Sequence, residues 1–439
     1  MDLLHALRMN KNSREHRIAF VGAGGKTTAL FQLARQLSGP VLVTSSTHFG
    51  QWQIPLADQF IAAEEPGDIE TLPDSGVTLL AGPVEDNRTS PLHSTALRNA
   101  ENLARKQGMP MLIECDGSRG LSLKAPAEHE PPIPDFVDAV IVVAGMSGLG
   151  QPLDEAHVHR PHLFSALSGL APGEPVTPQG LARVLLHPEG GLKNTPARAR
   201  RICLLNQADT PELQAIAQSM AAELLKGYDS VIIASLKEKI IHAVHERVAG
   251  IILAAGESTR FGRPKQLLDW HGDPFVRAVV KKALTAGLRP VVVVTGAQAE
   301  AVEAAVSEMD VMIVRNENWR NGQASSITKG VASLEEKTGA AIFLLTDQPQ
   351  VSVEVLRALV ERHRRERPAI VAPLILEERR ANPVLFDQVT FQDLLSLQGD
   401  VGGRAIFHKH IVGFLPWHDD ALLLDVDTPE DYQRLIETI

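Results

Sequence analysis

The stretch GIILAAGESTRFGRPKQLL, residues 250–268, joins an apolar run to a turn of small residues that cations follow. The β-branched run predicts a buried strand that ends at Leu253. Small residues after a strand let backbone amides approach phosphate oxygens closely. Arg260 and Lys265 then lie within reach of the same triphosphate. The nucleotide-binding residues predicted in this loop are Leu253, Ala254, Ala255, Gly256, Ser258 and Gly262.

Short β-branched runs alternate with amphipathic stretches along the whole chain, which is typical of α/β units with parallel sheets. A chain of 439 residues exceeds what one core usually holds. We predict a helix over residues 235–248, SLKEKIIHAVHERV, that leads into the strand beginning at Gly250. The expected domains are therefore 1–246 and 247–439, each a doubly wound α/β domain.

Composition and charge argue against several classes of protein. The formal net charge of -10 argues against broad nucleic-acid binding, which requires an excess of lysine and arginine. Cys115 and Cys203 lie inside apolar runs, as expected of buried, reduced thiols in the cytoplasm. The start of the chain lacks the apolar core of a signal peptide, and no apolar run reaches about 18 residues. We expect a cytoplasmic protein without a membrane span.

Asp347 closes the apolar run AIFLLTD, where the carboxyl end of a strand would present it to a ligand crevice. Asp427 and Asp425 lie in DVDTPEDY, residues 425–432. Carboxylates beside a phosphate-binding loop point to Mg²⁺, which takes few protein ligands and keeps phosphate oxygens in its shell. The predicted metal ligands are Asp347, Asp427 and Asp425.

Several motifs occur in the order found in the nucleotidyltransferases of the molybdenum cofactor family. They are LAAG with its arginine, glycine and lysine, then TDQPQ at 346–350, ANPVLF at 381–386, GDVGGR at 399–404 and DVDTPEDY at 425–432. About 190 residues resemble this family, and the Ala-Ala-Gly opening together with Asp-Gln-Pro is similar to its cytidylyltransferase (MocA-like) branch. This chain has Ala381 and Asn382 where the family usually has glycine and histidine.

The resemblance implies a Rossmann-like, GT-A-like nucleotidyltransferase domain that transfers CMP from CTP to molybdopterin. The implied catalytic residues are Lys265 on the α-phosphate, Arg260 on the leaving pyrophosphate, and Asp347. NENWRNGQASSITKG, residues 316–330, also resembles a family block. The implied acceptor-binding residues are Asn316, Gly322, Ser326, Asn382, Asp400 and Arg404. Trp319 is equally compatible with a core position.

A second glycine-rich turn, GAGGKTTAL at 22–30, follows the strand RIAFVG and opens an amphipathic helix with Leu30, Leu33, Ala34 and Leu37 on one face. It is shorter than the common P-loop, because Phe20 stands where that motif has glycine. The loop resembles that of the Mur ligases. The predicted nucleotide site, for ATP or GTP, comprises Gly22, Gly24, Gly25, Lys26, Thr27, Thr28, Asp116 as a Walker B carboxylate, and Asn206 and Asp209 as a base-reading element.

Residues 114–134 and 185–209 resemble the YqeC-type accessory domain of selenium-dependent molybdenum hydroxylases, a P-loop-like domain of unestablished activity. The resemblance covers roughly residues 10 to 240. It implies a client molybdenum hydroxylase apoenzyme as partner. The long loop 117–135 is predicted to contact substrate through Lys124, Glu128 and His129. His157, His159 and His162 match no standard zinc spacing.

Two other functions remain open. Sugar-1-phosphate nucleotidyltransferases share the predicted fold and opening loop. A cofactor carrier or insertase could bind the finished dinucleotide and dock on a hydroxylase without turnover. Pyrophosphate release separates an enzyme from a carrier. The residues leave open the nucleotide of the first loop, CTP against GTP at the second, a role for selenium, and the oligomeric state.

Overall fold

The computed structural model describes residues 1–12, 16–258, 261–375 and 379–438. The chain divides into two compact units, Met1–His245 and Glu246–Ile439. No helix among the described residues is both long enough and apolar enough to cross a membrane. The strand that contains the division between the units is β13 (Ile240–Ala254).

The N-terminal unit alternates strands and helices. Its strands are β1 (Arg17–Gly22), β2 (Val41–Ser45), β3 (Gln59–Ala62), β4 (Val77–Ala81), β5 (Val84–Glu85), β6 (Arg88–Thr89), β7 (Met111–Glu114), β8 (Leu123–Lys124), β9 (Ala139–Gly145), β10 (Val158–His159), β11 (Arg200–Asn206) and β12 (Ser230–Ser235). Its helices are α1 (Leu3–Ala6), α2 (Lys26–Gln36), α3 (Ser94–Lys106), α4 (Pro161–Ser168), α5 (Pro178–Leu186) and α6 (Pro211–Leu224).

Its main sheet has the order β3-β4-β2-β7-β1-β9-β11-β12, and the pairs are parallel. Successive side chains of β1 face opposite sides of this sheet. Ile18 and Phe20 join one core with residues of α2, whereas Ala19 and Val21 join another with residues of α3 and α5. Helices therefore cover both faces, as expected of a doubly wound unit.

The C-terminal unit continues from β13. Its strands are β14 (Asp269–Trp270), β15 (Asp273–Pro274), β16 (Val291–Thr295), β17 (Met312–Arg315), β18 (Thr338–Leu345), β19 (Ile370–Ile375), β20 (Arg379–Arg380), β21 (Val384–Asp387) and β22 (Val412–Pro416). Its helices are α7 (Phe275–Thr285), α8 (Ala299–Val306), α9 (Gln323–Ala332), α10 (Val353–Glu366), α11 (Phe391–Leu395) and α12 (Pro429–Thr438).

The sheet of this unit is mixed. Strands β17, β16, β13 and β18 pair in parallel in that order, and β21 joins β18 antiparallel. Val248 and Ile252 pack in one core with residues of α7, α8 and α10, and Ala249 and Ile251 pack in a second core with residues of α9 and α11. The α/β class is confirmed in both units.

Most predicted elements are present, but the helix predicted over residues 235–248 is wrong. Leu236–Glu238 forms one short 3₁₀ turn, and strand β13 begins at Ile240. The apolar residues of IIHAVHERV fit a helical spacing over so short a run, but β-branched isoleucine and valine favour a strand. The buried face predicted for α2 is correct, because Leu30, Leu33 and Ala34 are at most 1% exposed. Leu37 is also buried, but it is the C-cap residue and lies just beyond the helix.

Candidate functional site

The C-terminal unit carries a cleft of about 750 Å³ at the carboxyl ends of its parallel strands. β13 lies between β16 and β18, so the loops that follow β13 and β18 meet at one edge of the sheet. The cleft is lined by Leu253, Ala255, Gly256, Glu257, Ser258, Phe261, Lys265, Gln266, Trp319, Arg320, Asn321, Gly322, Gln323, Ser326, Leu345, Thr346, Asp347, Asp400 and Asp427. Most of the predicted site residues of this unit therefore converge.

Lys265 lies at the centre of the charged part of the cleft. Its Nζ donates to Asp427 Oδ1 at 2.7 Å and to Asp347 Oδ2 at 3.1 Å. Burial opposes the charge of this ammonium group, but the two carboxylates outweigh it and raise the pKa of Lys265. The lysine therefore stays charged and holds both aspartates within reach of one cation.

The oxygen atoms around Lys265 suit a divalent cation. Asp347 Oδ1 is buried without a hydrogen-bond partner among the described residues. Asp425 lies beside this pair: desolvation and the charge of Asp347 raise its pKa, and Gln348 Nε2 donates to its Oδ1 at 2.6 Å. In the described part of the chain no three acidic, histidine or cysteine side chains form a complete metal cluster. Two carboxylates plus phosphate oxygens are the set that Mg²⁺ commonly accepts.

Gln266 is a site residue that the sequence analysis missed. Its side chain is 3% exposed, and Nε2 donates to the carbonyl of Gly256 at 2.7 Å and of Ala254 at 3.4 Å. Ser258 Oγ donates to its Oε1 at 3.4 Å. One buried amide thus fixes the small-residue loop after β13. The sequence feature that could have identified Gln266 is its position directly after Lys265.

Other residues of this loop differ in exposure. Ala254 is buried, and its carbonyl is one of the two that Gln266 contacts. Gly262 is exposed and has a φ of +76°, a conformation that favours glycine. The predicted catalytic residue Arg260 lies outside the described residues.

The predicted acceptor-binding residues lie in two groups. Gly322, Ser326 and Asp400 line the cleft, and Asp400 Oδ1 accepts the backbone N–H of Gln323 at 3.1 Å. Asn316 is 1% exposed, and its side-chain amide donates to Ser326 Oγ at 3.0 Å. Asn316 thus supports a residue that lines the cleft.

The second group is Asn382 and Arg404. Arg404 Nη2 donates to Asn382 Oδ1 at 3.3 Å, and the charge of Asp425 acts on the same guanidinium. Desolvation lowers the pKa of Arg404.

Trp319 is not a core residue. It is half-buried and lines the cleft, with the Arg320 guanidinium 4.2 Å above its ring. Such a stacked pair offers a flat wall on which a planar ring can lie.

In the N-terminal unit the glycine loop lies between the ends of β7 and β9, which flank β1. The backbone N–H groups of Gly22, Ala23 and Gly24 donate to Asp116, to the Val143 carbonyl and to the Leu121 carbonyl respectively. Gly25 is the N-cap of α2 with a φ of 120° and no side-chain cap. The first amides of a helix are groups that can bind an anion.

Lys26 folds back over this loop. Its Nζ donates to the Gly22 carbonyl at 2.7 Å and lies 3.3 Å from Asp116 Oδ1. Thr27 Oγ1 donates to Glu114 Oε2 at 2.8 Å and accepts Gln53 Nε2 at 3.0 Å. Glu114 and Gln53 were not predicted. Burial outweighs the nearby charge of Lys26 and raises the pKa of Glu114.

The other predicted residues of this site surround the loop. Asn206 is 4% exposed; it donates to the Gly24 carbonyl at 2.7 Å and accepts the Leu236 N–H at 3.0 Å, so it fixes the loop. Thr28 and Asp209 are exposed. A nucleotide contact by any of these residues stays a prediction.

Within loop 117–135, Lys124 is enclosed by protein groups. Its ammonium donates to Asp116 Oδ2 at 2.8 Å, the Gly117 carbonyl at 2.8 Å and Glu130 Oε2 at 2.9 Å. Glu130, which was not predicted, also accepts from Arg160 Nη1 at 2.6 Å and Nη2 at 2.7 Å. Burial opposes the charge of Glu130, but Arg160 and Lys124 lower its pKa to about 2.

Lys124 therefore supports the loop through a buried ion network, and its expected substrate contact stays a prediction. Glu128 and His129 are exposed. His159 pairs with Lys124 between β10 and β8, and burial and the charge of Arg160 lower its pKa to about 4. His157 Nδ1 lies 2.7 Å from Asp154 Oδ1.

Comparison with known proteins matches the two halves of the chain to two different families. The family model of the YqeC protein matches residues 18–162, and that of the MobA-like NTP transferase domain matches residues 250–414. The uncharacterized protein YqeC of Escherichia coli strain K12 is 34% identical over 234 residues, 48% of this chain and 83% of that relative. The nicotine blue oxidoreductase of Paenarthrobacter nicotinovorans is 34% identical over 197 residues, 43% of this chain and 96% of that relative.

Among solved structures, Rv0371c of Mycobacterium tuberculosis H37Rv aligns with a TM-score of 0.40 and 31% identity, over 44% of this chain and 98% of Rv0371c. Each of the two family matches contains one of the two glycine-rich loops. The chain therefore belongs to the YqeC family through its N-terminal half and to the MobA-like NTP transferases through its C-terminal half, and it is a nucleotidyltransferase.

Proposed function

We propose that domain 247–439 transfers CMP from CTP to the terminal phosphate of molybdopterin, with Mg²⁺, and releases pyrophosphate. The observation that carries this proposal is the contact of Lys265 with both Asp347 and Asp427 inside the cleft behind the small-residue loop. The match to MobA-like NTP transferases supports the reaction class. The motifs shared with the cytidylyltransferase branch support CTP and molybdopterin.

The reaction forms a bond from an acceptor phosphate oxygen to the α-phosphorus of CTP and breaks the bond to the bridging oxygen of pyrophosphate. The nucleophile is already an anion, so no general base is required. Catalysis then depends on positioning and on stabilising charge. Lys265 would bind the α-phosphate, the loop 253–258 the phosphate oxygens, and Arg260 the leaving pyrophosphate. Asp347 and Asp427, with Asp425 nearby, would hold Mg²⁺, which neutralises phosphate charge when bound.

The wall formed by Trp319 and Arg320 suits the planar pterin of the acceptor. Gly322, Ser326 and Asp400 would bind the acceptor in the cleft, with Asn382 and Arg404 further along and Asn316 supporting Ser326.

We further propose that domain 1–246 is a P-loop-like nucleotide-binding domain that assists maturation of a client molybdenum hydroxylase in the cytoplasm. The glycine loop with Lys26 and Thr27 at the start of α2 supports an ATP or GTP site. The YqeC match supports assignment to the same family, whose E. coli member is uncharacterized.

The test is pyrophosphate release by the full chain with Mg²⁺ and molybdopterin, comparing CTP, GTP and ATP. We expect release with CTP, its loss in Lys265→Ala, and its retention in Lys26→Ala. Release with a sugar 1-phosphate in place of molybdopterin would favour the sugar nucleotidyltransferase. Absence of release with every nucleotide would favour the carrier or insertase.

A further inference from the structure

The hydroxyl of Thr27 is directly bonded to a buried carboxylate of the neighbouring strand. Thr27 Oγ1 donates to Glu114 Oε2 at 2.8 Å, and the Glu114 residue is 8% exposed. Glu114 is the last residue of β7 and lies opposite Phe20 in the parallel register with β1. The strand order therefore places this carboxylate beside the glycine loop and the start of α2.

The second acidic residue near this loop, Asp116, has its oxygens committed to the protein. Both accept the Gly22 N–H, at 3.1 and 3.0 Å. Oδ2 also accepts Lys124 Nζ at 2.8 Å, and Oδ1 lies 3.3 Å from Lys26 Nζ. A metal ion at Asp116 would have to replace contacts that fix the loop backbone. Asp116 is therefore a support for the loop.

The carboxylate of Glu114 makes fewer contacts with protein groups than that of Asp116. Its Oε2 accepts the Thr27 hydroxyl, and its Oε1 lies 3.9 Å from Lys26 Nζ, beyond hydrogen-bond distance. Gln53 Nε2 donates to the same Thr27 hydroxyl at 3.0 Å. A hydroxyl and a carboxylate side by side at a phosphate-binding loop are hard oxygen donors of the kind that Mg²⁺ prefers.

We propose that Glu114 and Thr27 hold the divalent cation of a nucleoside triphosphate at the N-terminal loop, and that Asp116 fixes the loop without contacting the metal. This inference rests on the proposed nucleotide-binding function of domain 1–246. It assigns the metal carboxylate to the end of β7, two residues before the expected Walker B aspartate. The ligand class is a metal-bound nucleoside triphosphate, which Lys26 would contact after leaving the Gly22 carbonyl.

The test follows amide hydrogen exchange of residues 22–36 in the full chain, so that the C-terminal nucleotide site does not contribute. ATP and GTP are titrated separately, with Mg²⁺ and with EDTA, and the half-protecting concentration is compared. In the wild type we expect Mg²⁺ to lower that concentration at least 10-fold. In Glu114→Gln we expect the Mg²⁺ effect to fall below 2-fold while protection with EDTA is retained. Glu85→Gln, at an exposed hairpin of the same unit, is the matched control and should behave as the wild type.

Three results separate the possibilities. No protection of residues 22–36 in the wild type by either nucleotide would overturn the proposed N-terminal function itself. Protection whose Mg²⁺ dependence survives in Glu114→Gln would overturn only the assignment of Glu114. Asp116→Asn, where it folds as judged by circular dichroism, should keep the Mg²⁺ effect. Loss of that effect in Asp116→Asn alone would assign the metal to Asp116 instead.

Discussion

Lys265 Nζ lies 2.7 Å from Asp427 Oδ1, and the same ammonium contacts Asp347. The two aspartates are the proposed ligands of Mg²⁺, so a lysine ammonium lies between the carboxylates that would bind the metal. Attraction between these charges has to be overcome before a metal ion can bind there. The residue proposed to bind the α-phosphate therefore also balances the negative charge of the proposed metal ligands.

Replacing Lys265 by methionine should separate these two roles. Lys265→Met removes a competing cation, so we expect Mn²⁺ to bind about 10-fold more tightly without nucleotide, a change of about 1.4 kcal/mol. Pyrophosphate release should fall at least 100-fold, since an electrostatic contact to the transition state is lost. Mn²⁺ binding is measured by electron paramagnetic resonance, and release by a coupled assay.

The control is Lys281→Met, because Lys281 pairs with Asp273 at an exposed position on α7. It should change neither quantity. Weaker Mn²⁺ binding in Lys265→Met would mean that the lysine organises the carboxylates for the metal instead of competing with it.

Gln266 should control nucleotide affinity through the loop it supports. Gln266→Glu replaces the buried N–H donor with an oxygen that faces the Gly256 and Ala254 carbonyls. Loss of these bonds costs about 2 kcal/mol, so we expect the KM for the nucleotide to rise roughly 30-fold. Initial rates of pyrophosphate release measure this change, and Gln392→Glu on the exposed side of α11 serves as control. An unchanged KM in Gln266→Glu would show that the loop holds its shape without this side chain.

Glu130 should make the stability of the N-terminal unit sensitive to acid. Its pKa is lowered from 4.5 to about 2, so its stabilising contribution is complete above about pH 4.5 and is lost as the pH falls towards 2. Glu130→Ala removes the carboxylate that pairs with Arg160 and one of the two that pair with Lys124, and we expect the free energy of unfolding at pH 7 to fall by about 3 kcal/mol. Urea unfolding at pH 7 and pH 3 measures the difference from the wild type.

That difference should shrink between pH 4.5 and pH 2. Glu128→Ala on the same loop removes an exposed carboxylate and should have little effect at either pH. A difference for Glu130→Ala that is equal at both pH values would contradict the assigned ion network.

Gly24 should tolerate no side chain, whereas Gly120 should tolerate one at a small cost. Both have a positive φ, +83° and +77°. A Cβ at Gly24 would lie 2.5 Å from Gly145 Cα, but one at Gly120 meets nothing within 4 Å. We expect Gly24→Ala to lower the free energy of unfolding by about 3 kcal/mol or more and Gly120→Ala by about 1 kcal/mol. Thermal unfolding measures the stability of both variants. Equal losses of stability would show that the positive φ, and not the contact of the added Cβ with Gly145, sets the cost.

Sequence patterns predicted the fold better than the contacts of the site. Strand runs such as RIAFVG and the face of α2 could be assigned because periodicity reflects burial. The run IIHAVHERV was misassigned because a short apolar pattern fits both a helix and a strand. Lys265, Asp347 and Asp427 were singled out because each lies in a motif, and the structure brings the three side chains together.

Glu114 and Glu130 could not be found in this way. The role of Glu114 depends on the register between β7 and β1, and that of Glu130 on Arg160, 30 positions away along the chain. Lys124 was predicted to contact substrate, and that contact stays a prediction; its buried pairing with Asp116 and Glu130 depends on the path of the loop, which the sequence does not reveal.

The two cysteines have a practical consequence. Cys115 and Cys203 are free and buried, and burial raises the pKa of both thiols, so they will react slowly with maleimides and other thiol reagents. The chain contains no other cysteine. A cysteine introduced at exposed Arg320, on the wall of the cleft, would therefore accept a fluorophore or spin label selectively, without prior removal of the native thiols.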